Sequence, residues 1–228
     1  MLFKIKQIIL IFSFLFFSFN LNFSKELIVD RVLAFVGNEP ITLSDLKIVI
    51  NFNLYPDLGK TEIKKYIERM INQKIVTKRI KTNFPIEKDL QNKRKRLIRW
   101  FGSEENFYKE LSKFDLTWSD LKIYIEEKIY YEKIIKDRFK FISPITLDEI
   151  KKYYNEVYVP EQRKKNLYPK SLLEMASEIE SILMYNKREK LISEWLDELK
   201  KEENVEIKVK DFSKLLNQLK LYNGVKNE

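Results

Sequence analysis

The stretch LIVDRVLAFV, residues 27–36, is a run of β-branched and apolar residues that predicts a strand. A second short β-branched run, VEIKV at 205–209, follows a long charged helical stretch. No other stretch predicts a strand with comparable strength. A lone strand leaves its backbone N–H and C=O groups unpaired, which is costly when they are buried. We therefore predict that residues 28–36 pair with 205–209, and that this pair joins the two ends of a helical protein.

The composition favours helices and excludes several kinds of active site. The chain has 228 residues, of which 44% are hydrophobic, with only 4 Gly and 6 Pro. It contains no Cys and no His, which excludes thiol nucleophiles, imidazole bases and most transition-metal sites. The scattered glycines form neither a Walker loop nor a dinucleotide fingerprint. Composition alone does not exclude a catalytic Ser–Lys dyad, although no serine has neighbouring residues in the sequence that indicate a nucleophile. We predict a protein that is not an enzyme and binds no cofactor or metal.

The N-terminal residues predict export. Lys4 and Lys6 precede an apolar run, Ile8–Phe17. This arrangement is typical of a secretory signal peptide, whereas a spanning helix needs about 20 apolar residues. We predict a signal peptide at residues 1–24 and a periplasmic location, with an uncleaved inner-membrane anchor as the alternative. Residues 1–24 contain two lysines and no acid, so the net charge of +9 becomes +7 on cleavage. Export argues against nucleic acid as a partner.

Capping patterns and apolar periodicity predict a series of helices. Capping boxes and capping residues are expected at Thr42, Thr61, Ser103, Thr117, Thr146 and Ser171. The helix that begins at Thr117 is apolar around most of its circumference, which predicts a central helix covered from several sides. The helix from Ser171 to about Glu202 shifts its apolar stripe, so we expect a bend or a change of packing partner near 185–188. The stretch 159–170, with two prolines, predicts a connection.

Five segments follow one another in an order that is typical of a known family. They are VDRVLAFVGNEPITLSDL at 29–46, YIERMINQKIV at 66–76, WSDLKIYIEEKIYYEKII at 118–135, ITLDEIKKYY at 145–154 and REKLISEWLDELKKEENVEIKV at 188–209. Over roughly residues 27–154 and 171–209, this set resembles the SurA-type periplasmic chaperones and their parvulin-linked relatives. In that family, an N-terminal strand and helices form a cradle that a C-terminal helix and strand complete. The resemblance implies a mostly α fold with a small β element.

The chain differs from many of these relatives in one respect. They carry parvulin prolyl isomerase domains before the C-terminal helix, whereas about sixteen residues separate Tyr154 from Ser171 here, too few to bury a core. The resemblance therefore implies a chaperone body without isomerase activity. The predicted division is a SurA N-terminal-like domain at 25–158, a connection at 159–170, a returning helix and strand at 171–209 and a tail at 210–228.

Aromatic residues make up 14% of the chain and supply the candidate binding residues. The central helix has more apolar surface than one neighbour can cover, and exposed apolar patches usually mark interaction sites. We predict that part of the following set lines a peptide-binding groove while the rest is core: Trp100, Phe101, Phe107, Tyr108, Trp118, Tyr124 and Tyr131. A basic cluster either steers acidic unfolded polypeptides, contacts anionic lipid or is a solvated helix face: Lys93, Arg94, Lys95, Arg96 and Arg99.

These features predict an ATP-independent holdase that binds unfolded envelope polypeptides, including outer-membrane proteins. A first alternative is an envelope scaffold or interaction protein that uses the same groove for one fixed partner. A second is a polyanion-binding module that acts through residues 93–99.

Overall fold

The computed structural model describes residues 30–80 and 84–225, with side chains described as far as Leu219. The strands are β1 (Val32–Val36), β2 (Glu39–Thr42) and β3 (Val205–Ile207). The helices are α1 (Leu43–Asn51), α2 (Ile63–Arg79), α3 (Glu87–Trp100), α4 (Glu104–Lys113), α5 (Trp118–Arg138), α6 (Leu147–Tyr153), α7 (Val159–Lys164), α8 (Leu172–Glu202) and α9 (Phe212–Val225). The mostly α fold with a small β element is confirmed. The predicted signal peptide and residues 27–29 of the predicted first strand lie outside the described residues.

The pairing of the two ends is confirmed. β1 pairs antiparallel with β3, placing Ala34 opposite Ile207 and Val36 opposite Val205. The Lys208 amide extends the ladder by donating to the Leu33 carbonyl at 2.8 Å. Leu33, Ala34 and Val36 are fully buried, so this ladder belongs to the core. A strand near the C-terminus thus completes a sheet that begins near residue 32.

β1 also has a local partner, which the sequence prediction missed. β2 pairs with β1 across the two-residue loop Gly37-Asn38, with Val36 opposite Glu39 and the sheet order β2-β1-β3. Gly37 has a φ of 59°, as the first loop residue of such a hairpin requires. The sequence Gly37-Asn38-Glu39-Pro40 favours a turn over all four residues. However, β2 is an edge strand, where a residue without an N–H is tolerated, and the strand includes Pro40.

The main core forms around α2 and α5. α2 buries an apolar stripe that includes Ile63, Ile67 and Ile71. α5 packs on α2 and α3, and it buries Leu121, Ile125 and Ile129 on one side and Ile134 on another. Its other apolar residues are half-buried, apart from the exposed Ile123. Its role as a central helix is therefore confirmed.

Four predicted capping boxes are present, at Thr42, Thr117, Thr146 and Ser171. Ser103 also caps its helix by accepting from the Asn106 amide. The cap predicted at Thr61 is wrong, because α2 begins at Ile63 and Glu62 takes the capping position. The Glu62 carboxylate instead accepts a hydrogen bond from the Gly59 amide at 2.7 Å and so closes the preceding turn.

A helical arm with its own small core follows α5. We define the arm as α6, a π-helical turn at Tyr154–Tyr158, α7 and residues 172–185 of α8. Ile150 of α6 packs with Met175 and Ile179 of α8, in a cluster separate from the main core. The prediction of a connection over 159–170 is therefore wrong for 159–164, which are helical. In a regular α-helix the ring of Pro160 would clash with the carbonyl of residue 156, and the wider π-helical turn at that position relieves the clash.

α8 joins the arm to the main core. Its buried residues are Met175 and Ile179 on the arm, and Ile192, Leu196 and Leu199 in the main core. Residues 180–191 are all described, and none of them is buried. The predicted change of packing partner along this helix is confirmed.

The segment after β3 belongs to the body. The spacing of Phe212, Leu215, Leu216 and Leu219 predicts a short amphipathic segment before a polar tail, and Phe212–Val225 is helical. Leu215 is fully buried in the main core and Leu219 is nearly so, and this helix packs on α2. The predicted amphipathic segment is therefore confirmed, and its helix extends through most of the range that was assigned to the tail.

Charged side chains reinforce the junction between α2 and the residues before β3. Lys78 Nζ lies 3.2 Å from Glu203 Oε2, and Arg79 Nη1 lies 3.3 Å from Glu203 Oε1. The hydrogen bond from Lys78 holds the pKa of Glu203 below its ordinary value of 4.5. A carboxylate with a depressed pKa stabilises the fold above the pKa of the unfolded chain and loses that contribution as the pH falls.

Replacing Glu203 with Gln is therefore expected to lower the free energy of unfolding at pH 7 by no more than about 1 kcal/mol. The difference from wild type should shrink as the pH falls below 4.5, because the carboxyl group of the unfolded chain is then protonated before the native one, whose pKa is lower. Urea denaturation at several pH values measures both effects. Glu202→Gln is the matched control, since Glu202 is more exposed and contacts Arg79 alone. A loss for Glu203→Gln that did not depend on pH would contradict the expectation.

Candidate peptide-binding surface

Two adjacent depressions on the main body carry exposed apolar side chains. The first, which we call the Trp100 depression, has a volume of about 180 Å³ and an apolar floor that includes Leu54, Leu97 and Ile125. The second, which we call the Tyr124 cleft, has a volume of about 490 Å³ and is lined by residues of β2, α1, α2 and α5. Leu54 and Lys128 line both, so the two depressions are neighbouring parts of one surface.

Trp100 stands at the edge of the first depression. It is the last residue of α3, and its side chain is 60% exposed. Leu97, one turn earlier, is buried against the main core and fixes the orientation of this helix end. The chain then turns inward at Phe101, which is half-buried. A tryptophan is therefore presented to solvent beside an apolar hollow, although its large ring would gain from burial.

The Tyr124 cleft combines apolar and acidic groups. The Tyr124 hydroxyl donates a hydrogen bond of 2.6 Å to Asp45 Oδ1, which ties α5 to the start of α1. Ile123 is 58% exposed in the lining of the cleft. Glu127 also lines it, and burial raises the pKa of this carboxyl group, although Lys74 lies 3.7 Å away.

The two depressions differ in charge. Four acids line the Tyr124 cleft, against two lysines: Asp45, Asp115, Asp120 and Glu127, with Lys74 and Lys128. The described lining of the Trp100 depression has three cations and no acid: Lys93, Arg96 and Lys128. Glu132 lies 3.6 Å from Lys93 and 2.8 Å from Lys128, so two of these cations are partly compensated. The combined surface can accept an apolar side chain with a neighbouring charge of either sign.

Part of the predicted aromatic set is core. The prediction that Phe107 lines a groove is wrong, because this side chain is fully buried. Its ring centre lies 6.4 Å from that of Phe52, 6.1 Å from that of Phe101 and 6.2 Å from that of Trp118. Phe101 and Trp118 are half-buried partners in the same aromatic cluster. These three residues support the end of α3 and the start of α5, and none of them lines either depression.

Arg94 is also placed differently from the predicted steering cluster. Its Nη2 lies 2.7 Å from Glu104 Oε1 and 2.8 Å from the Tyr108 hydroxyl, and its guanidinium lies 5.5 Å from the centre of the Trp118 ring. Arg94 therefore joins α3 to α4 and to the start of α5. Tyr108, 41% exposed, belongs to this contact rather than to either depression.

The remaining predicted residues divide between the surface and other positions. Lys93 and Arg96 line the Trp100 depression, and burial lowers the pKa of Lys93. Lys95 and Arg99 are exposed and lie outside that lining. Tyr131 is half-buried, and burial raises the pKa of its hydroxyl. The candidate surface thus keeps Trp100, Tyr124, Lys93 and Arg96 from the predicted sets.

Ile123 is the residue that the sequence prediction missed. We had treated it as one more apolar position of a helix buried on several sides. Its helical neighbours three and four positions away are all polar: Ser119, Asp120, Glu126 and Glu127. An apolar residue within a polar helix face is a signal for exposure, and it could have identified Ile123.

The hydrogen bond of Tyr124 gives a direct test of this geometry. Replacing Tyr124 with Phe is expected to lower the free energy of unfolding by about 1–2 kcal/mol, because the Asp45 carboxylate loses a donor in a half-buried site. Tyr130→Phe is the matched control, since Tyr130 is half-buried on the same helix and makes no hydrogen bond to a described residue. Urea denaturation compares the two variants. Equal effects would show that the hydroxyl of Tyr124 contributes nothing specific.

No family model, no curated protein and no solved structure matches this chain. The resemblance to SurA-type chaperones therefore remains a prediction. Over residues 30–80 and 84–225, the structure contains no helix with both the length and the apolar character needed to cross a membrane. In the same ranges, no group of three or more acidic side chains is arranged to hold a metal ion.

Proposed function

We propose that this protein is an ATP-independent envelope chaperone of the holdase type that binds unfolded polypeptides at the Trp100 depression and the Tyr124 cleft. One observation carries the proposal. Trp100 and Ile123, each more than half exposed, stand on two adjacent hollows that share Leu54 and Lys128. Large apolar side chains that are exposed beside apolar concavities indicate a surface that binds apolar segments of other chains.

The expected affinity suits a chaperone that works without nucleotide. Burial of about 300 Å² of apolar surface contributes roughly 7–8 kcal/mol before costs. Ordering a flexible client removes a good part of that, which leaves an affinity of about micromolar or weaker. A client held this weakly leaves when its own folding buries more apolar surface.

The charges favour a broad range of clients. Unfolded segments combine apolar residues with acids and bases in varied order. Acidic side chains around the Tyr124 cleft can contact client cations, and Lys93 and Arg96 of the Trp100 depression can contact client anions. This mixed surface is suited to clients of varied charge, since segments with a neighbouring acid or base both find an opposite charge.

Three features support the location and the lack of isomerase activity in the proposal. The basic and apolar N-terminal residues resemble a signal peptide, which favours the periplasm. The residues between Tyr154 and Ser171, where relatives carry a parvulin domain, form a π-helical turn, α7 and a short connection. A chain without His or Cys also lacks residue types on which a parvulin-like site relies.

Suppression of aggregation tests the proposal. Two unrelated proteins are denatured chemically and diluted into buffer with the full chain and no nucleotide, and light scattering is followed. We expect scattering of both to fall as the chain approaches equimolar amounts, with no acceleration of prolyl isomerisation in a peptide assay. Failure with both proteins would contradict a holdase. Suppression abolished by moderate salt would favour polyanion binding, and one stoichiometric partner alone would favour a scaffold.

A further inference from the structure

The far end of the arm exposes a group of apolar side chains. α7 ends at Lys164 and α8 begins at Leu172, so the connection between them lies at the end of a two-helix hairpin. Tyr168 in this connection is 99% exposed, and Leu167 and Leu173 are also exposed. We call residues 163–173 the arm tip. Apart from Leu172, its apolar residues lie outside the small core of the arm, which is formed around Ile150 and Met175.

Hydrogen bonds hold the arm tip in one conformation. The Asn166 amide donates to the Arg163 carbonyl at 3.0 Å, and the Leu167 amide donates to the Gln162 carbonyl at 2.9 Å. Asn166 has a φ of 55°, a left-handed conformation that asparagine tolerates better than most residues. The chain thereby turns at Asn166, and the two residues that follow, Leu167 and Tyr168, are exposed.

Two tyrosines of the π-helical turn fix the other side of the arm tip. The Tyr154 hydroxyl donates to the Lys170 carbonyl at 2.7 Å, and the Lys170 amide donates to the Tyr158 hydroxyl at 3.2 Å. The two rings are stacked, with centres 5.5 Å apart. Tyr168 is therefore exposed on a loop whose backbone is fixed at both ends.

The arm tip is strongly basic. Between Glu161 and Glu174 the chain carries four cations and no acid: Arg163, Lys164, Lys165 and Lys170. All four are exposed, and none of their side chains makes an ion pair with a described residue. Of the two flanking acids, Glu174 is engaged by Ser171 in a capping box, and Glu161 is exposed at the start of α7. Cations therefore surround the protruding apolar residues.

We propose that the arm tip docks on an anionic membrane surface, a function separate from the proposed binding of unfolded chains. Protruding side chains such as Tyr168 do not form a pocket for a partner, but they can insert into the headgroup region of a lipid bilayer. Tyrosine is enriched at membrane–water interfaces, where its ring is apolar and its hydroxyl remains hydrated. Lysine and arginine next to it match the negative surface of anionic lipid. The fixed loop reduces the conformational entropy lost on docking.

A fluorescent label at position 168 tests the proposal. The native chain has no Cys, so Tyr168→Cys provides a single attachment site for an environment-sensitive fluorophore in the full chain. The apolar run Ile8–Phe17 could also bring the chain to vesicles, and the label therefore reports the environment of the arm tip itself. With vesicles of phosphatidylcholine and phosphatidylglycerol, we expect a blue shift and higher emission. Phosphatidylcholine vesicles should give little change, and a label at Lys190→Cys, on the exposed middle of α8, should not respond.

Three outcomes would overturn the proposal. A label at 168 that stays in water on binding to anionic vesicles would do so, as would an equal response from the label at 190. A response to poly-L-glutamate without a response to anionic vesicles would assign the arm tip to acidic polypeptides instead.

A charge variant supplies an independent measurement that keeps Tyr168. Replacing Lys164, Lys165 and Lys170 with Gln is expected to weaken vesicle binding by about one to two orders of magnitude, since each removed cation loses its attraction to the surface. The matched control replaces three exposed lysines outside the arm: Lys60, Lys88 and Lys109. Both variants lose the same net charge. Equal losses of vesicle binding would show that net charge, rather than the arm tip, decides binding, and would contradict the proposal.

Discussion

Trp100→Ala is expected to weaken binding of an unfolded client about thirtyfold and to leave the stability of the fold almost unchanged. Truncation of an aromatic residue that contributes strongly to an interface typically costs about 2 kcal/mol of binding free energy, which corresponds to that factor. Trp100 is 60% exposed, and surface substitutions usually change the free energy of unfolding by less than about 0.5 kcal/mol. Fluorescence anisotropy with a labelled unfolded fragment measures the binding, and urea denaturation measures the stability.

Tyr185→Ala provides the matched control for that experiment. Tyr185 is also a large aromatic residue and is 64% exposed, but it lies on the middle of α8 and lines neither depression. We expect it to bind the fragment as wild type does. Equal weakening by both substitutions would mean that any exposed aromatic residue of this chain captures unfolded polypeptides, and the Trp100 depression would lose its special role.

Phe107→Ala is expected to have the largest effect on stability, a loss of about 3–5 kcal/mol in the free energy of unfolding. The side chain is fully buried and its ring contacts those of Phe52, Phe101 and Trp118. Its removal leaves a cavity in the cluster that joins α1, the end of α3, α4 and α5. Urea denaturation at 25 °C measures the loss. The fraction of variant that remains folded should bind an unfolded fragment with an affinity close to that of wild type.

The neighbouring residue serves as the control. Tyr108 is 41% exposed, and its hydroxyl accepts a hydrogen bond from Arg94. Tyr108→Phe removes this hydroxyl and keeps the ring, whose centre lies 5.4 Å from that of Phe107. It is expected to lower the free energy of unfolding by about 1 kcal/mol, the usual contribution of a single hydrogen bond. If Phe107→Ala cost no more than Tyr108→Phe, the aromatic cluster would not be the support that the packing indicates.

Features of the fold with a local signature could be predicted from the sequence. A capping box requires only residues three positions apart, and all four that we predicted are present, as at Thr117 and Asp120. The pairing of β1 with β3 followed from the need of each lone strand for a partner. The continuation of helical structure from α6 through Pro160 into α7 could not be predicted, because it depends on a π-helical turn for which the sequence has no recognisable signal. β2 was missed because Pro40 is acceptable only on an edge strand, and the strand order is a tertiary property.

The candidate surface was less predictable than the fold. Phe107 and Tyr108 are adjacent aromatic residues, and composition alone cannot tell that the first is buried and the second is at the surface. Arg94 lies within a run of four cations, yet it contacts Glu104 and Tyr108 while Arg96 lines a depression. The floor of the Trp100 depression combines residues from distant parts of the chain, such as Leu54 and Ile125. Such a hollow exists only after the helices have packed.

Thiol cross-linking is the sharpest test of where unfolded chains bind. Single cysteines at Arg96 and Ile123, in an otherwise Cys-free chain, place a photoactivatable cross-linker in the Trp100 depression and in the Tyr124 cleft. A cysteine at Lys190, exposed on α8, serves as the reference. With a denatured client, we predict cross-linked products from positions 96 and 123 and few from 190. Products from 190 in equal yield, or none from 96 and 123, would contradict a client-binding surface at these two depressions.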